Sequence, residues 1–267
     1  MYLPKLHLIT SVLAGIGMAI ASAAGVFSLS VYVKESAIWA AQGTGQDIIN
    51  LFLVFPTFLI LTYFVSKGSL HALLVWLGTL IYIAYSYVLY SFFVTFGPLF
   101  LVYVATLGCA FYAIFGTSLF LARAQFTYAP PSKPSSTAAA IYLFINGLLF
   151  AFLWLLEIFS SLRTGTIPPT AVEVGFVINP VHVLDLGFIL PAMIAVALLL
   201  KKKHVNGYIF AIPVVTFAIL MASAILGMIA NMHARGLAIS LIPIILMSLN
   251  ILIGIIIGFF FLRSQQK

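Results

Sequence analysis

Apolar residues run along this chain in long blocks, broken by short polar, glycine- and proline-marked stretches. A bilayer core of about 30 Å is crossed by roughly 20 apolar residues in a helix. Eight blocks are long enough, and they predict spans over 6–33, 46–66, 69–94, 97–122, 137–162, 180–200, 205–232 and 238–262. The expected fold is all-α: a polytopic transmembrane helix bundle of about eight spans, forming one integral membrane domain over 1–267. The longest connections, 34–45, 123–136 and 163–179, leave no room for a water-soluble domain.

Local chemistry marks the boundaries. Gly97-Pro98 opens the fourth span and Asn179-Pro180 the sixth, because proline suits a first helical turn, where its missing N–H has no partner to lose. Asn179 is the expected N-cap. Ala129-Pro130-Pro131-Ser132-Lys133-Pro134-Ser135-Ser136 is a loop by composition. Pro56, Pro191, Pro213 and Pro243 fall inside spans and each is expected to kink its helix, as packing bends or as hinges. In the first span, Lys5, an apolar run and Ala21-Ser22-Ala23 imitate a cleavable signal. The apolar pattern continues through Gly25-Val26-Phe27 to Val33, which suits an uncleaved span. Gly15, Ala19 and Ala23 are spaced by four, as are Gly254 and Gly258, so these faces suit close helix packing. The Gly254–Gly258 face also suits a homo-oligomer contact.

Composition sharpens this picture. The 267 residues are 64% hydrophobic and only 6% charged, far below the roughly 25% charged residues of soluble domains. The net charge of +7 is spread too thinly to form a nucleic-acid surface, and nucleic acid is excluded as a partner. In spans, cations set topology. With eight spans the side holding the termini carries nine cations: Lys5, Lys67, Arg123, Lys133, Lys201, Lys202, Lys203, Arg263 and Lys267. The other side carries three, Lys34, Arg163 and Arg235. Both termini are therefore expected in the cytoplasm of a plasma-membrane protein, in contact with the lipid bilayer. The single cysteine, Cys109, forms no intrachain disulfide.

All five acidic residues, Glu35, Asp47, Glu157, Glu173 and Asp185, fall on the external side of this topology. A carboxylate inside a span costs about 2.5–3.5 kcal/mol near the helix centre and normally faces the bundle interior or water. Asp47, in Gly45-Gln46-Asp47, is expected in the first turn of the second span, with Asn50 on the same face. Either it complements the helix dipole or it belongs to a site. His182 and Asp185 are three residues apart and can pair, either as a helix cap or as a relay. Glu157 either snorkels outward or points inward.

Tyr82, Ser86 and Tyr90 lie within about 80° on a helical wheel, and Tyr85 widens the stripe. Tyr82 is too deep for an interfacial belt, so the stripe is expected to face inward and hydrogen-bond the carboxylates. The candidate polar site is Asp47, Glu157, His182 and Asp185, lined by Gln46, Asn50, Tyr82, Tyr85, Ser86, Tyr90 and Tyr103. Asn146 lies nearer mid-membrane.

No P-loop, dinucleotide fingerprint, zincin motif or G-x-S-x-G occurs. Neither a metal site nor a cofactor is expected, since the histidine spacing fits no ligand motif. No internal repeat is evident, because the helix starts at Gln46-Asp47 and Asn179-Pro180 are not echoed at a fixed period. The Gly45-Gln46-Asp47 start, the tyrosine-rich third span and Asn179-Pro180-Val181-His182-Val183-Leu184-Asp185-Leu186 together resemble a group of uncharacterised prokaryotic multi-pass membrane proteins. That resemblance implies plasma-membrane residence and no particular activity, and it singles out Asp47, His182 and Asp185. The residues themselves favour a transporter or ion-coupled carrier for a proton, cation or small cationic solute. The alternatives are a non-enzymatic membrane subunit, sensor or scaffold, and an intramembrane lipid-modifying enzyme.

Overall fold

In lipid a backbone must satisfy its own polar groups, and helices do so within one segment. The protein, described by a computed structural model over residues 2–28, 30–123 and 130–265, follows this rule. Eight helices are long and apolar enough to cross a membrane: α1 (Lys5–Phe27), α2 (Ala37–Ser66), α3 (Leu70–Phe93), α4 (Phe100–Arg123), α5 (Lys133–Thr164), α7 (Pro180–Lys201), α8 (Val205–Ala234) and α9 (Leu241–Ser264). A short helix, α6 (Pro169–Val174), lies between α5 and α7. No strand occurs among the described residues. Leu29, residues 124–129 and Lys267, which entered the span, loop and charge readings, lie outside the described residues.

The caps are local. Ser36, Ser69, Asn179 and Ser240 each accept a backbone N–H of the helix they open, satisfying donors that a helix start leaves free. α3 and α8 are the most enclosed helices. They cross where Gly78 meets Pro213: a Cβ on Gly78 would run into the Pro213 carbonyl and the Thr216 side chain. Around this pair, α1 packs along α4, α5 along α7, and α2 along α8.

Several helices depart from their expected bounds. α5 starts at Lys133, so Lys133-Pro134-Ser135-Ser136, expected as loop, is helical, and α4 starts at Phe100, after Gly97-Pro98. α1 ends at Phe27 rather than 33. α2 starts at Ala37, nine residues before 46. The stretch Gln42-Gly43-Thr44-Gly45 is helical because its glycines admit neighbours: Gly43 lies under the Tyr32 ring and Gly45 against the Gly227 backbone. Asp47 therefore sits nearly three turns inside α2, and the first-turn dipole reading is overturned.

Pro56 and Pro191 lie inside their spans. Each follows a π-helical segment, Asn50–Val54 in α2 and Asp185–Ile189 in α7. Proline removes one N–H and clashes with the carbonyl four residues back. The wider π turn accommodates this, with the amides of Phe55 and Leu190 reaching back to Asn50 and Asp185. Pro243 instead lies in the first turn of α9. The Gly254 side of α9 packs inside the chain, against Ile219 and the Tyr142 hydroxyl. Gly254 is thus spent on an internal contact and not on a partner copy.

Candidate functional site

The polar residues inside the spans collect on two sides of α3. On one side stands Asp47, with no exposed surface. The Tyr32 hydroxyl donates to its Oδ2 at 2.5 Å and the Tyr90 hydroxyl to its Oδ1 at 3.1 Å. Gly25 of α1 makes room, since a Cβ there would overlap the carboxylate. Burial and the Asp47 charge push the Tyr32 phenol well above its ordinary value, so Tyr32 keeps its proton and donates. Tyr103 does not bond the carboxylate; its ring packs on Tyr90 at 5.5 Å. No ion pair reaches Asp47 among the described residues.

One turn deeper, Tyr82 donates to Asn50 Oδ1 at 2.7 Å. Asn50 Nδ2 is buried without a hydrogen bond, and the Ser22 hydroxyl lies beside Asp47. An unmet donor inside a protein costs about 1–3 kcal/mol. Gln46 Nε2 donates to Ser86 Oγ at 2.7 Å.

On the other side of α3, Tyr85 donates to Asp185 Oδ1 at 3.0 Å and Trp154 Nε1 to Oδ2 at 2.8 Å. The expected pairing of His182 with Asp185 is not made. His182 Nε2 instead faces Glu157 Oε2 at 3.6 Å. The reason lies in two antiparallel helices with matched spacing. Trp154 and Glu157 are three residues apart on α5, and His182 and Asp185 three apart on α7, so Trp154 meets Asp185 and Glu157 meets His182. Glu157 points inward and also accepts the Thr170 N–H and hydroxyl, each at 2.8 Å. Asn179 caps α7 and bonds Thr170 Oγ1 at 2.9 Å.

Compared with known protein families, with curated proteins and with solved structures, the chain matches none. What the site can do follows from its own geometry.

Asp185 stands at the wall of a pocket of about 140 Å³ between the helices. Gln46, Tyr85, Trp154, Asn146 and Asn250 supply its other polar atoms, and Phe217, Met193, Met221, Met228 and Met247 its apolar wall. Asn250 donates to Asn146 Oδ1 at 2.6 Å, and the Tyr142 hydroxyl bonds the Asn250 side chain. The four candidate residues thus form two groups: Glu157, His182 and Asp185 come together around Trp154, and Asp47 lies apart with Tyr32 and Tyr90. No cluster of three or more metal-ligating side chains is found among the described residues.

Tyr32 and Trp154 are site residues that the sequence reading did not single out. Trp154 carried a signal, its spacing of three from Glu157. Tyr32 carried none, because it sits in a connection that reads as the end of the first span.

Proposed function

We propose that this protein carries a small cation or cationic solute across a plasma membrane, both termini being cytoplasmic, with the Asp185 cavity as its binding site. The observation that carries this reading is a carboxylate with no cationic partner among the described residues, on the wall of a pocket between the helices of a membrane bundle. Ionisable residues held within spans mark pathways and sites because leaving them there is costly. Tyr85 and Trp154 hold the carboxylate in place through its two oxygens while their rings, with Phe217, face the same space. Aromatic faces attract a desolvated cation by about 2 kcal/mol. An engineered cavity of about 150 Å³ holds benzene, so the space suits a solute of about that size.

The test is charge movement in proteoliposomes on a solid-supported membrane, with monovalent cations and small amines such as methylammonium as probes. A probe should evoke current in the parent protein and little in Asp185→Asn. Silence to every probe, together with stable co-purification of one membrane partner, would replace the carrier by the subunit reading. Product formation from membrane lipids would replace it by the enzyme reading.

A further inference from the structure

The two π segments begin at Asn50 and Asp185, 135 residues apart, and each is followed at the same distance by a proline, Pro56 and Pro191. This offset recurs well beyond them. α2 ends at Ser66 and α7 at Lys201. Gly68 and Lys203 then both take left-handed backbone conformations, φ 86° and 54°. Ser69 and His204 both cap the next helix through a side chain. Gly78 and Pro213, where α3 crosses α8, differ by the same number, so each touches its own equivalent. Ser22, beside Asp47, corresponds to Glu157, beside His182.

From these correspondences we infer that the chain is two parallel four-span repeats, and that Asp47 and Asn50, in the places of His182 and Asp185, form a second, closed copy of the His182–Asp185 site, one that takes a proton. The equivalence explains why one copy is open and the other closed. In the second repeat the cavity is walled by Phe217, Met221, Ala222 and Ile225 of α8. Their equivalents in the first repeat are Tyr82, Ser86, Tyr87 and Tyr90 of α3, which fill that space and are buried. α5 brings Trp154 to the second site, whereas α1 brings Ala19 to the equivalent place. Tyrosine rings occupy the room left over, so no solute fits.

A proton needs no such room. The groups facing Asp47 are Ser22 of α1, Tyr32, Tyr82, Tyr87 and Tyr90 of the connection and α3, and Tyr103 of α4. None is a cation, and the hydroxyls of Tyr32 and Tyr90 donate to the carboxylate. A bare buried charge is costly, and a proton on an Asp47 oxygen removes it. Asn50 Nδ2, beside this carboxyl, is a buried donor left unpaired.

The test is acid–base difference infrared spectroscopy of the full chain in nanodiscs. The parent should show a slowly exchanging carboxyl C=O band that Asp47→Asn removes and Asp47→Glu moves. An unchanged spectrum in Asp47→Asn would overturn the proton site. Asn50→Asp gives the first repeat the second repeat's residue, beside Tyr82, and should fold and add a band. Misfolding or no added band would overturn the equivalence. Failure of the carrier reading looks different: probe currents are absent while the Asp47 band persists.

Discussion

Asp185 is held by two donors from two helices, and this makes the strength of its anchoring measurable. Tyr85→Phe removes one hydroxyl and leaves the ring, which packs edge-on against Phe217 at 5.5 Å. A hydrogen bond to a charged group contributes about 1.5–3 kcal/mol in soluble proteins. In membrane bundles interhelical hydrogen bonds average about 0.6 kcal/mol and reach about 1.7, because the unfolded chain in lipid also finds partners. The 3.0 Å contact is ordinary in length, its acceptor is a carboxylate, and it sits inside the bundle. It belongs near the upper end of the membrane range, so the coupling between Tyr85→Phe and Asp185→Ala should be about 1–2 kcal/mol. A double-mutant cycle from reversible unfolding in mixed micelles measures it directly. Tyr112, exposed on the outer face of α4, is the control, and its phenylalanine variant should change stability by less than about 0.5 kcal/mol. A Tyr85–Asp185 coupling below about 0.3 kcal/mol would show that Asp185 is not anchored across the bundle. The preorganised binding site would then fall with it.

Four further outcomes follow from contacts described above. Gly78→Val should destabilise the chain by about 1–3 kcal/mol or more, since the Pro213 carbonyl is backbone and cannot step aside; near-parental unfolding would place the crossing elsewhere. Tyr32, with its phenol raised above 10.0, keeps its proton in the folded state after the unfolded state has lost it. Its share of stability is therefore intact below pH 10 and falls above it, at up to about 1.4 kcal/mol per pH unit, and Tyr32→Phe should flatten that alkaline decline in a melting series. Glu157→Gln keeps the acceptor for Thr170 and changes only the 3.6 Å contact with His182, so its cost should stay below about 1.5 kcal/mol; a larger loss would reveal a stronger role for His182. Gly254→Leu should lower the melting temperature by crowding Ile219 and Tyr142 without changing the mass measured by light scattering.

Block length and polarity alone located eight spans because lipid leaves a polar backbone few options, and a run of apolar residues in a helix is the simplest. The start of α7 was legible through Asn179 and Pro180, whereas the serine caps at Ser36, Ser69 and Ser240 were not read. The start of α2 was not legible, since Gly43 and Gly45 read as breakers until Tyr32 and Gly227 are seen lying against them. The inward tyrosine stripe followed from a helical wheel. Partner choice did not, because whether His182 takes Asp185 or Glu157 depends on how α5 and α7 slide past each other. The repeat was hidden for a related reason. Few residues are shared between the halves, and what recurs is backbone: a π turn, a proline six residues after its first residue, and a left-handed residue in a connection.

The Gly78–Pro213 crossing carries a consequence for how such a chain arises. In a symmetric dimer of four-span units, a residue on the two-fold axis touches itself, and one amino acid has to serve as both faces of the contact. Proline on both sides would leave no gap for the facing carbonyl. Once the two units are joined in one polypeptide, the constraint is lifted. One copy keeps the proline and the other keeps the glycine that leaves room for the Pro213 carbonyl. Asymmetry at the axis is thus a property that fusion makes accessible and that an assembly of identical chains cannot reach.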